Sequence, residues 1–357
     1  MKIQSTLNTF LGIQDEYEVF HLDWENKIAS FINESPTVIG AKWGKEFISS
    51  RCRYISSTIP TAEDVREKDN FSKSMIPMLK SHLQKCTRRG HAVKAIQTAK
   101  HLINLDLSIF LRRWTIIILE DAMINFNYTV LIWMMVAVSK GYMPSKEVLD
   151  WLLAQVEATV DYPFKVEFNE YPQRIKADSS KDCDLLKALN IRKEYGGMKG
   201  DSVMIQNIIT TFKDIKDFKG NWPVSMIENM SFHVGFIDYN NVKPLELDEW
   251  ELAAVDFHVS DILDKWFNIL SDTDKKKWTR QDLKSCMWEC SGSINHRESR
   301  NESCSLWKKY ADQVTKIARS ILRFKFTSGV LNSSRKQDID QREAKRFRAH
   351  FPSQEHQ

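Results

Sequence analysis

The longest apolar run of the chain, from Val130 to Val138, restricts the fold more than any other feature. A helix that crosses a bilayer needs about 20 apolar residues. This run is far shorter, and Lys140 closes it. A helix that is apolar on every side has to be enclosed by other elements of the same protein. The run therefore predicts a buried central helix and does not indicate a membrane partner.

Helical patterns continue on both sides of this run. Before it, apolar stripes at spacings of three and four residues predict one helix that ends at Gly90 and a second that follows directly. Asp106 or Ser108 then caps a third helix, and Ser145 stands at the start of another. We find no sustained alternation of apolar and polar residues between hairpin turns. The predicted fold class is therefore all-α.

The predicted organisation is a two-lobed helical bundle with a short N-terminal peptide motif and a C-terminal tail without periodicity. Its segments are residues 1–14 (peptide motif), 15–70 (N-terminal helical segment), 71–165 (helical domain), 185–330 (second helical lobe) and 331–357 (disordered basic tail). In the second lobe we expect a long helix from Leu247 to Leu270 and a capping box from Thr279 to Asp282.

Net charge and cysteine content give limited information about the partners and the cellular compartment of the protein. The formal net charge is +4, which by itself does not indicate a polyanionic partner. The six cysteines lie mostly in predicted helices and lack the dense spacing of a disulfide framework. We therefore expect a reducing compartment, the nucleus or the cytosol.

The first residues carry a short motif, QSTLNTFL, with Gln4, Leu7, Phe10 and Leu11 at relative positions 1, 4, 7 and 8. Leu7, Phe10 and Leu11 fall on one side of a single helical turn and form an apolar plug. The motif resembles the PCNA-interacting peptide, which implies a sliding clamp as partner. It departs from the family at Leu11, where an aromatic residue is usual. The alternative is that these side chains pack on the protein's own domain.

Residues 78–163 resemble the helical C-terminal domain of the replication-associated recombination ATPases, an AAA+ family related to clamp loaders. The likeness rests on LKSHLQKCTRRG (79–90), Ala95–Leu102, LRRWTIIILEDA (111–122), Ala137 and Val156–Pro163. In that family this domain serves oligomerisation, so the resemblance implies a homo-oligomer or an AAA+ ATPase partner. No G-x-x-x-x-G-K-[ST] phosphate cradle occurs in the chain, and we therefore expect no ATP hydrolysis of this type.

Nine cations are candidates for contact with nucleic acid: Arg88, Arg89, Arg112, Arg113, Lys199, Arg342, Lys345, Arg346 and Arg348. Guanidinium groups bind phosphates well. Arg113 and Glu120 also lie two turns apart on one helix face, so an internal salt-bridge network is the alternative. The last four cations lie in the tail, which is equally interpretable as a solvated segment.

The second lobe contains residues that an enzyme could use. Lys199 and Asp201 lie in the glycine-rich YGGMKGD, which is either an anion-binding turn or a plain turn. Asp256 and His258 are ligand types for a divalent metal, but they point apart on an unbroken helix. Cys286, Cys290, His296 and Cys304 lack the tight knuckle of a zinc site. We assign no metal, cofactor or catalytic residue.

These observations favour a non-catalytic accessory protein of DNA replication or repair, located in the nucleus, that binds the sliding clamp and contacts DNA. One alternative is a metal-dependent enzyme that acts on phosphodiesters through Asp256, His258, Asp201 and Lys199, provided that Asp201, Asp256 and His258 converge. The other is a helical interaction protein with a purely structural role.

We predict that a peptide of residues 1–14 binds the sliding clamp with micromolar affinity and that Phe10→Ala abolishes binding, because the plug loses its largest apolar side chain. Calorimetry with both peptides measures this. A wild-type peptide that gives no heat at high concentration would rule out the clamp-binding interpretation.

Overall fold

The structure is a computed structural model that describes residues 18–33, 54–59, 64–122, 124, 127–162, 184–214, 234–256, 258–291 and 305–328. These residues form eleven α-helices and a three-stranded sheet. The strands are β1 (Glu18–Asp23), β2 (Ile28–Asn33) and β3 (Tyr54–Ser57). The helices are α1 (Ile76–Arg89), α2 (Ala92–Asp121), α3 (Asn127–Ser139), α4 (Lys146–Asp161), α5 (Asp184–Glu194), α6 (Lys199–Asp214), α7 (Leu252–Val255), α8 (Ser260–Ile269), α9 (Asp272–Lys277), α10 (Arg280–Cys290) and α11 (Ser305–Ser328). The mostly helical prediction is confirmed, but the fold is not all-α.

The sheet lies within residues 15–70, where we predicted a helical segment, and that prediction is wrong. β1 is the central strand and pairs antiparallel with β2 and parallel with β3. Phe20 and Leu22 are buried on one face of β1, and Val19 on its other face is buried too, so alternation of apolar and polar residues is incomplete in this strand. The turn after β1 was missed because Lys27, and not a glycine, adopts the left-handed conformation there, with φ of 56°.

The predicted central helix is α3, and its residues 130–137 are all buried. Helices α2 and α5 pack against it, and strands β1 and β2 cover a further side. The indole Nε1 of Trp133 donates to the carbonyl oxygens of Phe20 at 3.0 Å and Ser56 at 3.1 Å. One side chain therefore links the helix to β1 and β3, and the prediction of an enclosed helix is confirmed.

Several helix ends follow their predicted signals. α1 ends at Gly90, which has a φ of 69° that favours glycine. α4 begins after Ser145, whose hydroxyl accepts a hydrogen bond from the Val148 amide. α10 begins with the predicted capping box of Thr279 and Asp282. These boundaries are confirmed.

The predicted break at Asp106 takes the form of a kink within α2. Asp106 has extended backbone angles (φ −168°, ψ 99°), and its Oδ1 accepts a hydrogen bond from the Ile109 amide at 3.0 Å. The helix therefore stops and starts again at this residue without a loop, since the carboxylate caps the second half.

The predicted long helix from Leu247 to Leu270 is wrong, because α7 and α8 are separated by a break after Asp256. The Asp256 Oδ2 accepts the Ile262 amide at 3.0 Å and thereby helps to cap α8. Val259 has a φ of 53°, which takes the chain out of the helical conformation. An aspartate that bonds to the backbone in this way competes with helix continuation.

The predicted second lobe, residues 185–330, packs at two places. α5 and α6 pack on each other, and α5 contacts α3. α7 contacts α1, and α11 contacts α7 and α8. The buried apolar side chains from Phe20 to Leu322 nevertheless form one connected core. Within the described ranges, no helix has the length and apolar character that crossing a membrane requires.

We predict that Trp133→Phe lowers the free energy of unfolding by about 2 kcal/mol, because two buried carbonyls lose their donor. Urea denaturation measures the change. The matched control is Trp288→Phe, which changes a 39% exposed indole and is expected to stay within about 0.5 kcal/mol of the parent. Equal losses in both variants would contradict the role of Trp133.

Candidate nucleic-acid interface

The two neighbouring arginines at the end of α1 have different partners. Arg88 Nε donates to Asp121 Oδ1 at 2.7 Å and forms an ion pair with this buried carboxylate. Arg89 reaches the carbonyl oxygens of Glu289 and Cys290 at 3.4 Å, at the C-terminal end of α10. Positive charge at a helix C-terminus is favourable. Both guanidinium groups therefore contribute to packing between helices.

Arg113 belongs to the same polar network as Arg88. It donates to Gln84 Oε1 and lies 3.6 Å from Glu120 Oε2. Gln84 Nε2 in turn donates to Glu120 at 2.8 Å and to Asp121 at 2.7 Å. This is the geometry of the internal salt-bridge network that the sequence analysis considered as an alternative, and it includes Arg88 and Arg113.

Arg112 is exposed, and it lies beside an arginine that the sequence analysis did not select. Its Nη2 donates to the Tyr195 carbonyl at 3.0 Å. Arg192 on α5 is only 2% exposed. Arg192 donates to Thr115 Oγ1 at 2.9 Å, to the Gly196 carbonyl at 2.7 Å and to the Arg112 carbonyl at 2.8 Å. Arg192 thus positions the backbone that carries Arg112.

Arg192 could have been found from its position on the apolar stripe of α5. It follows the buried Ala188 and Leu189 at spacings of four and three residues, where an apolar side chain is expected. Its three neutral acceptors satisfy the guanidinium without a direct carboxylate partner in the described residues. Burial lowers the pKa of Arg192 from its usual range, and the group stays charged at neutral pH.

The glycine-rich segment YGGMKGD forms the turn between α5 and α6. Gly196 and Gly197 have φ values of 75° and 156°. The carbonyl of Gly196 faces Arg192, and the Met198 amide donates to Asp201 Oδ2 at 3.1 Å. The carbonyl groups of the turn therefore accept hydrogen bonds from arginines. The Met198 amide, a candidate for binding an anion, is already bonded to Asp201. Lys199 begins α6 and is exposed.

The charged groups on α1, α2, α5 and α6 interact as one set, which we call the cationic cluster. It consists of the cations Lys80, Lys85, Arg88, Arg112, Arg113 and Arg192 and the carboxylates Glu120, Asp121 and Asp201. Six cations are therefore opposed by three carboxylates. Arg88 pairs with Asp121 and Arg113 with Glu120, so these charges are offset within the cluster.

Burial and neighbouring charges shift the titration of two lysines on α1. Burial, together with the nearby positive charge of Arg88, lowers the pKa of Lys85 to about 8. Burial and the charges of Arg113 and Arg112 lower the pKa of Lys80. Burial also raises the pKa of Glu120, while the charge of Arg113 lowers it. An anion beside these lysines would favour their protonated forms.

The candidate metal ligands of the second lobe have other roles. Asp201 bonds to the amide before α6, Asp256 bonds to an amide of α8, and His258 is exposed. No group of three or more possible metal ligands occurs among the residues that the structure describes. Cys286 and Cys290 both lie on α10. His296 and Cys304 lie outside the described ranges.

A buried cysteine and histidine lie together on α1, one turn apart. The Cys86 Sγ is 3.6 Å from His82 Nε2, and His82 Nδ1 is 2.7 Å from the Thr98 hydroxyl. Burial raises the pKa of the Cys86 thiol and lowers the pKa of His82 to about 3. Both groups are neutral at pH 7, and a thiolate is the nucleophilic form. This pair therefore serves packing.

The remaining predicted site residues fall outside the described part of the chain. They are Gln4, Leu7, Phe10 and Leu11 of the peptide motif and Arg342, Lys345, Arg346 and Arg348 of the tail. Comparison with protein-family models, with curated proteins and with solved structures finds no match for this chain.

We predict that Lys85 titrates near pH 8, which reductive ¹³C-methylation followed by NMR measures directly. Lys85→Gln assigns the signal by removing it. The folded pKa lies below the ordinary value of 10.5, so the neutral form favours folding. The contribution of Lys85 to stability therefore increases as the pH rises from about 8 to about 10.5 and is lost as the pH falls through this range. A Lys85 signal that titrates near the ordinary value would show that the cluster is fully solvated.

Proposed function

We propose that this protein is a non-catalytic accessory factor of DNA replication or repair that docks on the sliding clamp through residues 4–11 and contacts DNA phosphates through its cationic cluster. Under this proposal, the protein acts in the nucleus. The clamp part of the proposal rests on the motif of Gln4, Leu7, Phe10 and Leu11. The DNA part rests on the geometry of the cluster.

The observation that carries the DNA part is the surplus of cations over carboxylates in the cluster. Arg88 and Arg113 are engaged by Asp121 and Glu120, so they hold the helices and contribute little net charge. Arg112 is exposed on the same surface. Phosphate contacts from fixed guanidinium and ammonium groups supply affinity without reading sequence. We therefore expect binding with weak sequence preference.

Lys80, Lys85 and Arg112 are the side chains of the cluster that we assign to phosphate contact. Lys80 and Lys85 are partly exposed on α1, and Arg112 is held by Tyr195 at one nitrogen only. Arg192 contributes charge from inside and fixes the backbone of Arg112. Lys199 is exposed at the start of α6, three residues after Gly196. We include it as a further candidate for phosphate contact.

Clamp docking and phosphate contact complement each other physically. A short peptide motif with one weak position binds modestly, and phosphate contacts alone are sensitive to salt. When one chain makes both contacts, the second contact forms at a high effective concentration because the first already holds the protein in place. The combined affinity then exceeds that of either contact for a clamp that is loaded on DNA.

We predict that the double variant Lys80→Gln/Arg112→Gln weakens DNA binding and reduces the slope of log affinity against log salt by about two units, since about two phosphate contacts are lost. Gel-shift titrations at several salt concentrations with duplex, forked and single-stranded DNA measure the slope. The matched control is Lys275→Gln/Lys276→Gln on α9, which removes the same charge at another exposed place.

The outcomes separate the parts of the proposal. Replacement of Arg342, Lys345, Arg346 and Arg348 together tests the tail by the same measurement, with a loss of up to about four units. An unchanged slope for the α1/α2 variant would exclude the cationic cluster as the interface. If none of the three DNA forms binds even at low salt, direct DNA contact is wrong and only clamp docking remains.

A further inference from the structure

A cleft lies on a different part of the molecule, between residues 244–247 and the last two turns of α11. It has a volume of about 550 Å³. A smaller chamber of about 160 Å³ adjoins it, and Leu247 lines both. Clefts of this combined size hold small organic ligands. Neither space is used by the function proposed above.

The wall of the larger cleft is aromatic. The ring of Phe71 lies 4.3 Å from that of His101 and 5.2 Å from that of Phe326, measured between centroids. His101 Nε2 accepts the Leu245 amide at 3.1 Å, so Nδ1 carries the proton and donates to Asp69 Oδ2 at 2.8 Å. Both ring nitrogens are therefore occupied, and the fixed, buried His101 ring supports the Phe71 ring that packs on it. Flat aromatic ligands stack on such walls.

Two arginines of α11 line the two spaces. Arg319 borders the smaller chamber and Arg323 the larger cleft, and they lie one helical turn apart. Both are exposed, and neither has an ion-pair partner among the described residues. Like charges at this spacing repel each other. An anionic group bound between the two guanidinium groups would relieve the repulsion and accept charge-assisted hydrogen bonds.

The opposite side of the cleft carries acceptors. Glu246 lines the larger space and Asp248 the smaller one, and both are exposed. They form no ion pair with the arginines of α11 in the described part of the chain. A ligand between the two sides therefore meets cations on the helix and carboxylates on the facing segment. Carboxylates accept hydrogen bonds from hydroxyl and amino groups.

A buried donor in the smaller chamber is without an acceptor. Trp250 lines this chamber and is only 5% exposed. Its Nε1 has no hydrogen-bond partner within the described residues. A buried N–H group without an acceptor is costly.

We propose that this cleft binds a nucleoside monophosphate unit. Its base lies against Phe71 and Phe326, its phosphate lies between Arg319 and Arg323, and its sugar hydroxyls or amino groups face the acidic side. The aromatic wall, the unpaired arginines and the facing carboxylates match the three parts of this ligand class. The unit is either a free nucleotide or the terminal nucleotide of a single strand, since both present the same groups.

Calorimetry on the full chain with adenosine monophosphate tests this proposal, with a short single-stranded oligonucleotide as the second probe. We expect binding of the nucleotide and about tenfold weaker binding for Arg319→Ala and Arg323→Ala, because each removes a charge-assisted hydrogen bond. Adenosine lacks the phosphate and should bind more weakly than the nucleotide, with no further loss in either arginine variant. Phe326→Leu should weaken both ligands. Lys276→Ala, a charge control on α9, should leave the affinity unchanged.

Three results would overturn the proposal. The first is no heat with either probe at millimolar concentration. The second is equal affinity of the parent, Arg319→Ala and Arg323→Ala for the nucleotide. The third is binding of inorganic phosphate as tight as that of the nucleotide, which would leave an anion site without base recognition. Clamp binding and duplex-DNA binding by these variants should be unchanged, so these two readouts keep the test independent of the function proposed above.

Discussion

The complete enclosure of α3 is the constraint on which the rest of the structure depends. A helix with buried residues on every side needs cover from several directions, and here α2, α5 and the sheet provide it. Hydrogen bonds from two side chains also hold these covering elements in place. Trp133 reaches the backbone of β1 and β3, and Arg192 on α5 reaches the backbone of α2. These two side chains therefore connect the elements that surround α3.

The cationic cluster shows how internal packing and surface function share one set of charges. Asp121 and Glu120 at the end of α2 neutralise Arg88 and Arg113, and these pairs join α1 to α2. The cations that remain are those with incomplete partners: Lys80, Lys85 and Arg112. Burial opposes the charge of Lys80 and Lys85, and a bound anion would favour it. The same arrangement thus stabilises the helices and leaves a positive surface.

The sequence predicted those features that depend on local chemistry. The central helix, the capping box at Thr279, the Gly90 terminus and the break at Asp106 each arise from a few neighbouring residues. The features that it missed depend on distant partners. The strands near Phe20 are stable because residues more than a hundred positions later cover them, and Arg192 is tolerated inside because the backbone of α2 accepts its hydrogen bonds. Which arginines are paired and which are exposed also depends on the fold and could not be predicted from the sequence.

The sheet has a consequence for the order in which the fold is completed. A hairpin of two strands is only marginally stable in water, so β1 and β2 need additional cover to persist. Residues that pair between β1 and β3 are 35 positions apart in the sequence. Trp133 and Phe20, which are joined by a hydrogen bond, are 113 positions apart. Contacts between positions so far apart form slowly, since a long loop must close first. The strands that come early in the chain therefore reach their final stability only after the central helix has been synthesised and packed.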